Sequence, residues 1–446
     1  MEEQNNYTLI ALAVYFAILI YFVLSTKKHK SIEDHYSRGT GAYSALFIAV
    51  AMAVTMIGPA DALALSQNGL NYGIIWAIFP IGAALAQFTT GTLFASKIKL
   101  SFPKIKTIGG IFEIRCSKSS TVASGTIAFI QAIAFSGVLI LAGGQVLETF
   151  MGLKKELGMI ITALFVGGYT SYRGMLTVMK TDALQAFLMI GMLILLIVAI
   201  IMISMNINVE IWNEVIIKNE FKSDYNFKLI LTMFFGYFLG ELLLPTYCIR
   251  ASVSKDNNAA RKGFIYSSLI LIIWYIIITC SGSLGQFVAN RNVTDDIIIL
   301  DVIRSLNFKS NIIINICGAF VFLVFISLIH STFDSFLNNG ANSFSHDILG
   351  KLLRLDSKQK DWLAKQATIG ISVLGLAIAI WKNDLIDILF LGYTVWVPTI
   401  LPSLIWIILK PNKQLSNQSF LGGFFSGVIS WYIFEYICHT PILTPE

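Results

Sequence analysis

The chain has 446 residues, of which 56% are hydrophobic and only 13% are charged, and its mean hydropathy is +0.72. Such a chain would be insoluble unless lipid covered most of it, which excludes a soluble enzyme and favours a membrane domain. The net charge of +6 does not indicate nucleic-acid binding, because the basic residues lie in loops between apolar runs, where they set orientation. The five cysteines show no paired or CxxC spacing, so neither a disulfide framework nor a zinc site is expected.

Apolar runs long enough to cross a bilayer, roughly 20 residues each, follow one another along the whole chain. The first run is too long for the core of a signal peptide and has no small-residue cleavage site, so we expect a retained helix. No stretch between the runs is long enough for a separate soluble domain. The sequence predicts an all-α polytopic membrane protein with about twelve spanning helices, at 7–26, 43–68, 73–96, 121–150, 157–173, 180–206, 227–250, 262–289, 311–338, 366–382, 384–409 and 419–438.

The loops between these runs predict the orientation. With the amino terminus outside, the basic loops, among them KKHKSIEDHYSR and RASVSKDNNAARK, all lie on the cytoplasmic side, as the positive-inside rule requires. The short LKKEL segment at 153–157 is an exception. An even number of helices returns the carboxyl terminus to the outside. The sequence therefore predicts a multi-pass protein of the cell inner (plasma) membrane with both termini extracytoplasmic.

The order of the runs permits an internal repeat. If 7–26 and 419–438 are peripheral helices, 43–206 and 227–409 can form two inverted five-helix halves. The first helix of each half carries residues that interrupt a helix, Gly58 and Pro59 in one and Gly236, Gly240 and Pro245 in the other. Proline removes a backbone donor and glycine relaxes the chain, so nearby carbonyls can turn toward a cavity. A simple kink in each helix is the alternative.

Four segments resemble the sodium:solute symporter family, and the resemblance covers most of the chain. They are AVTMIGPADALALSQNGLNYG at 53–73, TIGGIFEIRCS at 107–117, SYRGMLTVMKTDALQAFLM at 171–189 and SLIHSTFDSFLNNGANSFSHDIL at 327–349. The last two are similar to the family motifs GGxxAVxxTDxxQ and AAxMSSxDSxLxxxSSxxxxDI, and the first looks closest to the choline-transporter branch. The resemblance implies a LeuT-type 5+5 inverted repeat with extra peripheral helices and transport by alternating access.

The resemblance also implies a sodium site. Sodium prefers oxygen ligands, which inside lipid come from hydroxyls, carboxylates or freed carbonyls. In the family, two neighbouring hydroxyls and a carbonyl three residues earlier bind sodium, which here are Ser331, Thr332 and Leu328. Counting back from the first helix break, the remaining carbonyls resemble those of Ile48 and Ala51. The alternative for both hydroxyls is a bond to a carbonyl of the preceding turn.

A second cation or proton site is expected beside the first. Some family members hold a second sodium between an aspartate matching Asp182 and hydroxyls matching Asp334 and Ser335. Charged groups inside a membrane are costly and usually mark an ion path. Here an acid replaces one hydroxyl, and it can strengthen cation binding or hold a proton. His330 is either a packing residue or a proton-sensitive neighbour of the sodium site.

The solute is expected near the bilayer midplane, where the two interrupted helices meet the helix at 121–150. The candidate substrate-binding residues are Thr55, Met56, Asp61, Gln67, Gln131, Phe135, Tyr237, Gly240, Glu241 and Leu244. An aromatic cage for choline is not preserved, because the positions resembling its tryptophans are occupied by Met56, Phe135 and Leu244.

Two acids, Asp61 and Glu241, fall close to the helix breaks instead. A buried acid can pair with an ammonium group or carry a coupling proton. We therefore expect a small solute that bears an amine, such as an amino acid. The alternative is that these acids cap broken helices or bond to hydroxyls.

The leading hypothesis is therefore sodium-coupled symport of a small organic solute. Proton-coupled symport is the first alternative, and a membrane sensor with a separate signalling partner is the second. An enzyme is not expected, because the chain lacks HExxH, GxSxG and P-loop patterns and its histidines are scattered. The expected partners are the solute, sodium or a proton, and the lipid bilayer, with no cofactor and no metal beyond sodium. The oligomeric state is left open.

Overall fold

The computed structural model describes residues 2–25, 43–173, 175–205, 212–218, 221–222, 225–285, 287, 298–299, 302 and 311–433. Throughout these ranges the regular structure is helical, apart from an isolated bridge between Tyr43 and Ser254. The helices are α1 (Glu2–Ser25), α2 (Ala45–Met56), α3 (Pro59–Tyr72), α4 (Ile74–Ser101), α5 (Ile108–Arg115), α6 (Lys118–Met151), α7 (Lys155–Arg173), α8 (Met175–Ser204), α9 (Trp212–Ile216), α10 (Phe227–Glu241), α11 (Pro245–Val253), α12 (Asn257–Gly285), α13 (Asn311–Asn342), α14 (Ser357–Lys382), α15 (Leu385–Thr399), α16 (Leu401–Leu409) and α17 (Asn417–Tyr432).

Over its described residues, each predicted spanning segment coincides with a helix or a pair of helices; the predicted ends at 26, 206, 286, 288–289 and 434–438 lie outside the described part of the chain. In the described part of the chain, six helices are long and apolar enough to cross a membrane, or up to eight if each of two bent pairs is one span. The predicted segments outside that set are α1, α2 with α3, α7 and α17, for which spanning stays a prediction. Large apolar side chains such as Phe187 and Trp381 point outward and are more than 70% exposed, as lipid-facing residues are. The boundaries of the two proposed five-helix halves also stay a prediction.

The first broken helix is the α2–α3 pair. Helix α2 ends at Met56, and α3 begins at Pro59 with Gly58 as an extended N-cap. The carbonyl of Thr55 has no helical donor, because residue 59 is a proline without an N–H. The N–H of Gly58 donates to the Met56 carbonyl at 3.0 Å and not to the Val54 carbonyl, which would be its partner in a continuous helix. The break predicted from Gly58 and Pro59 is therefore present.

The second broken helix is the α10–α11 pair, bent by 44°. Glu241 ends α10 and Pro245 begins α11. Leu243, between them, is fully buried and has φ of 56°, a conformation that leucine rarely adopts. The indole N–H of Trp396 donates to the Leu242 carbonyl at 3.3 Å, which holds the unwound backbone in place.

A third break separates α15 from α16, which are bent by 52° at Ile400. The predicted span at 384–409 coincides with this bent pair, although the sequence analysis did not predict the break within it. Pro398 lies inside α15 and Pro402 in the first turn of α16. Each proline removes a backbone donor, so two of them four residues apart interrupt the helix.

Helices α3 and α12 cross at backbone distance. A Cβ atom on Gly69 would lie 2.2 Å from the carbonyl oxygen of Thr279, and one on Gly282 would lie 2.0 Å from that of Ser66. Only glycine permits this approach, which is the usual role of small residues between membrane helices.

A buried carboxylate joins α13 to the short helix α5. Helix α13 continues through a π-helical turn, Ser343–Ile348, that carries Asp347. Asp347 is 2% exposed and accepts a hydrogen bond of 2.6 Å from Thr107, the N-cap of α5. Cβ atoms on Gly109 and Gly125 would each lie 2.4 Å from Asp347 atoms, so the two glycines make room for it.

Candidate functional site

The breaks in α2–α3 and α10–α11 meet at a small central cavity. It has a volume of ≈ 50 Å³ and is lined by Thr55, Met56, Gly58, Phe135, Val138, Leu139, Glu241, Thr332, Phe336, Leu389 and Tyr393. A water molecule needs about 10–15 Å³ of such space, so the cavity holds a few waters rather than an organic solute. Binding of an organic solute therefore requires the cavity to widen.

The structure brings four predicted substrate residues to this cavity, namely Thr55, Met56, Phe135 and Glu241. Gly240 adjoins the cavity wall, since a Cβ atom there would lie 2.3 Å from Cγ of Tyr393. Tyr237 lines a neighbouring cavity of ≈ 20 Å³ beside Trp76.

Three further predicted substrate residues, Gln131, Leu244 and Gln67, are not among the described residues that line the central cavity. Gln131 is buried, and its amide lies 3.5 Å from the Gly392 carbonyl. Leu244 is buried as the N-cap of α11. Gln67 is exposed on α3, where its side chain is turned away from the interior. The side chain of Asp61 lies outside the described part of the structure.

Among the described side chains that line the central cavity, Glu241 is the one acid. Its carboxylate is 9% exposed and accepts a hydrogen bond of 2.5 Å from the Tyr247 hydroxyl and another from the Tyr393 hydroxyl. The amide of Gln87 donates to the Tyr247 oxygen at 3.0 Å. The carboxylate is therefore satisfied by two phenols, which is the alternative that the sequence left open. A carboxylate has about four lone-pair sites, so it can still accept from a bound ligand.

The predicted register of the sodium-binding carbonyls needs correction. Ile48 and Ala51 lie inside α2, where each carbonyl accepts from the N–H four residues later. The side chain of Ile48 packs against α12 at Gly263. The carbonyls that the break leaves without a helical donor are those of Val54 and Thr55, one to two turns further along, because the N–H of Gly58 donates to Met56 and residue 59 is a proline.

The two predicted sodium-binding hydroxyls differ in their surroundings. Ser331 donates to Asp182 at 2.7 Å rather than to a carbonyl of the preceding turn. The hydroxyl of Thr332 is buried without a hydrogen-bond partner and lines the cavity beside the α2–α3 break. Leu328 lies one turn earlier on α13 and is fully buried. An unpartnered buried hydroxyl is costly, so the Thr332 oxygen is available to a ligand.

Arg250 lies among the residues of the predicted second cation site. Its guanidinium is 1% exposed, and two of its nitrogens each lie 3.3 Å from one oxygen of Asp182. One of these nitrogens also donates to Thr55 at 2.6 Å and to Ser335 at 3.2 Å. Sequence reasoning missed this group, although a buried arginine near a helix break is a signal of an acidic partner.

Asp334, the third residue of the predicted second site, faces α7. It is fully buried and accepts from the Tyr169 hydroxyl at 2.7 Å, while its other oxygen has no partner. No motif in the sequence indicated that Tyr169 would be its partner.

His330 points away from the cavity toward α1 and α7. Its ring stacks on Tyr15 at 5.6 Å and on Phe165 at 5.3 Å, and Nδ1 lies 3.3 Å from the Tyr15 hydroxyl. This environment is aromatic, and it supports the packing interpretation over a role in the sodium site.

Comparison with known proteins identifies the family of this chain. A family model described as the sodium:solute symporter family matches residues 36–409. A sodium/pantothenate symporter of Haemophilus influenzae is 24% identical over 300 residues, which is 65% of this chain and 62% of that protein. A sodium/proline symporter of Staphylococcus aureus is 23% identical over 96% of this chain and 86% of its own length. The match thus spans about three fifths of the pantothenate symporter.

Solved structures show the same fold. A Na⁺-coupled sialic acid symporter in a substrate-bound, outward-open state superposes with a TM-score of 0.70 at 16% identity, covering 99% of this chain and 98% of that one. A transporter of the nucleobase–cation-symport-1 family in a closed conformation gives 0.54 at 12% identity, covering 93% and 97%. The predicted all-α, LeuT-type fold is confirmed.

Proposed function

Because this chain belongs to the sodium:solute symporter family, whose members are transporters and not enzymes, we propose that it imports a small organic solute by sodium-coupled symport with alternating access. It is a multi-pass membrane protein, and we place it in the cell inner membrane with both termini outside. The observation that carries this proposal is the unpartnered Thr332 hydroxyl, which lines one cavity together with the end of α2.

In this proposal sodium binds between α2 and α13. The freed carbonyls of Val54 and Thr55 supply oxygens from the break. Ser331, Thr332 and the carbonyl of Leu328 supply oxygens from α13. Sodium would give the Thr332 oxygen the partner that it lacks, which offsets the cost of its burial. Because the two helices then share a ligand, sodium binding favours the conformations in which the break of α2–α3 lies against α13.

The solute in this proposal bears an amine and binds at Glu241. The rest of the cavity wall is largely apolar, so a protonated amine would find its counter-charge in this carboxylate. The phenols of Tyr247 and Tyr393 keep the carboxylate in place before the solute arrives. Phe135 and Phe336, with ring centroids 4.5 Å apart, offer an apolar surface to the solute's carbon skeleton.

The first test is the thermal stability of the purified protein in sodium and in potassium at equal ionic strength. A ligand that binds only the folded state raises stability by mass action, by about 2.7 kcal/mol at 100 times its Kd. Sodium should stabilise the wild type and not Thr332→Ala. The matched control is Thr126→Ala on α6, whose hydroxyl only bonds back to Val122. Equal behaviour in both cations, with strong dependence on pH, would replace sodium with a proton as the coupling ion.

The amine is tested by uptake into proteoliposomes from a panel of cationic, zwitterionic, anionic and neutral solutes under a sodium gradient. Glu241→Gln keeps the shape of the side chain and removes its charge, so it should abolish uptake of the amine and leave sodium stabilisation intact. Uptake confined to anions or sugars would contradict the proposal that the solute bears an amine.

A further inference from the structure

Two acids and one base are buried together on three different helices. Asp182 lies on α8, Asp334 on α13 and Arg250 on α11, and none is more than 1% exposed. Asp182 has both oxygens engaged, one by Ser331 and the other by Arg250. With both acids ionised, these three groups sum to one negative charge. A buried charge that is not compensated is costly; Arg250 compensates Asp182, so one proton or one further monovalent cation suffices to balance Asp334.

We propose that the guanidinium of Arg250 is a tethered cation that fills the second cation site, so that the protein binds a single sodium ion. This inference rests on the proposed sodium-coupled function. The residues expected to hold a second sodium are Asp182, Asp334 and Ser335, and two of them already contact Arg250.

The geometry disfavours a second sodium beside Arg250. The guanidinium nitrogens lie 3.3 Å from the Asp182 oxygen and 3.2 Å from the Ser335 oxygen, so a sodium ion on those oxygens would be next to a like charge. The planar guanidinium also holds Thr55, from the end of α2, at 2.6 Å. One side chain thus occupies the space that oxygens of α2, α8 and α13 surround.

The tether distinguishes this cation from a sodium ion. Arg250 lies on α11, the second half of a broken helix, and cannot dissociate. It can compensate Asp182 in every conformation in which the two remain in contact, whereas an exchangeable ion leaves with each cycle. The positive charge that enters and leaves with each cycle is therefore that of the one sodium ion bound at Thr332.

The test counts sodium ions bound by the purified full-length protein, using ²²Na⁺ in a scintillation proximity assay. The wild type should bind one sodium per chain with a Hill coefficient near 1. In Arg250→Gln, Asp182 loses its partner, and the count should rise to two. In the double variant Arg250→Gln with Asp182→Asn, the unpaired acid is also gone, and the count should return to one. Arg250→Lys keeps the tethered charge and should also bind one.

A wild type that binds two sodium ions overturns the proposal, whatever the variants do. So does an Arg250→Gln protein that stays monodisperse and binds one. If Arg250→Gln does not fold, the numbers of sodium ions bound by the wild type and by the double variant decide. A double variant that binds two sodium ions contradicts the role of Asp182. A wild type that binds no sodium instead overturns the proposed function, which the Thr332→Ala experiment detects independently.

Discussion

Substituting Gly240 with alanine tests whether the wall of the central cavity is as tight as the structure shows. The new Cβ would lie 2.3 Å from Cγ of Tyr393, whereas ordinary contacts begin at 3.4 Å. The ring must therefore shift by about 1 Å, or the helix must give way, and overpacking of this kind costs about 1–3 kcal/mol. If the ring shifts, its hydroxyl leaves Glu241, and a hydrogen bond to a charged group contributes about 1.5–3 kcal/mol. In either case we expect the free energy of unfolding to fall by about 1–3 kcal/mol.

The assay is thermal unfolding in detergent, followed by amine uptake in proteoliposomes. Gly370→Ala is the matched control, because a Cβ atom there meets nothing within 4 Å, and it should be neutral or slightly stabilising. Tyr393→Phe removes the hydroxyl but keeps the ring, and thus isolates the hydrogen bond. Gly240→Ala combined with Tyr393→Ala removes the clash, so its cost should fall below the sum of the two single costs. The reasoning fails if Gly240→Ala behaves like Gly370→Ala in both assays.

Three other substitutions probe the packing. Thr107→Val leaves Asp347 without its 2.6 Å donor and should cost about 1–3 kcal/mol, measured by thermal unfolding; no change would contradict the buried contact. Gly282→Val would drive a side chain into the Ser66 carbonyl, 2.0 Å from its Cβ, and should abolish a monodisperse peak in size-exclusion chromatography, which a normal peak would refute. His330→Phe should preserve uptake and its pH profile, because the ring only packs; a changed pH profile would restore the proton-sensitive interpretation.

The sequence predicts the helices well because each apolar run is long and polar residues separate the runs. The break at Gly58 and Pro59 was also predictable, since proline removes the donor for Thr55. The break between α10 and α11 was predicted from Gly240 and Pro245, but the positive φ of Leu243 was not, because that residue lies in a run of three leucines. Nothing local indicates such a conformation.

The candidate site was predicted less completely than the fold. Hydroxyls next to one another, Ser331 and Thr332, are visible as a motif. The pairing of Asp182 with Arg250 joins residues 68 positions apart, and a single sequence carries no record of such pairs. The register of the carbonyls on α2 could not be counted either, because it depends on where the backbone actually unwinds.

The crossing of α3 and α12 limits how this protein can move. Gly69 and Gly282 bring backbone against backbone at two points of this crossing, and no flexible side chain lies at those points to accommodate sliding. Shear between packed helices relies on small side-chain rearrangements. We therefore expect α3 and α12 to move together. The unwound segments at 57–58 and 242–244, which adjoin the central cavity, are then the places where the two broken helices can bend.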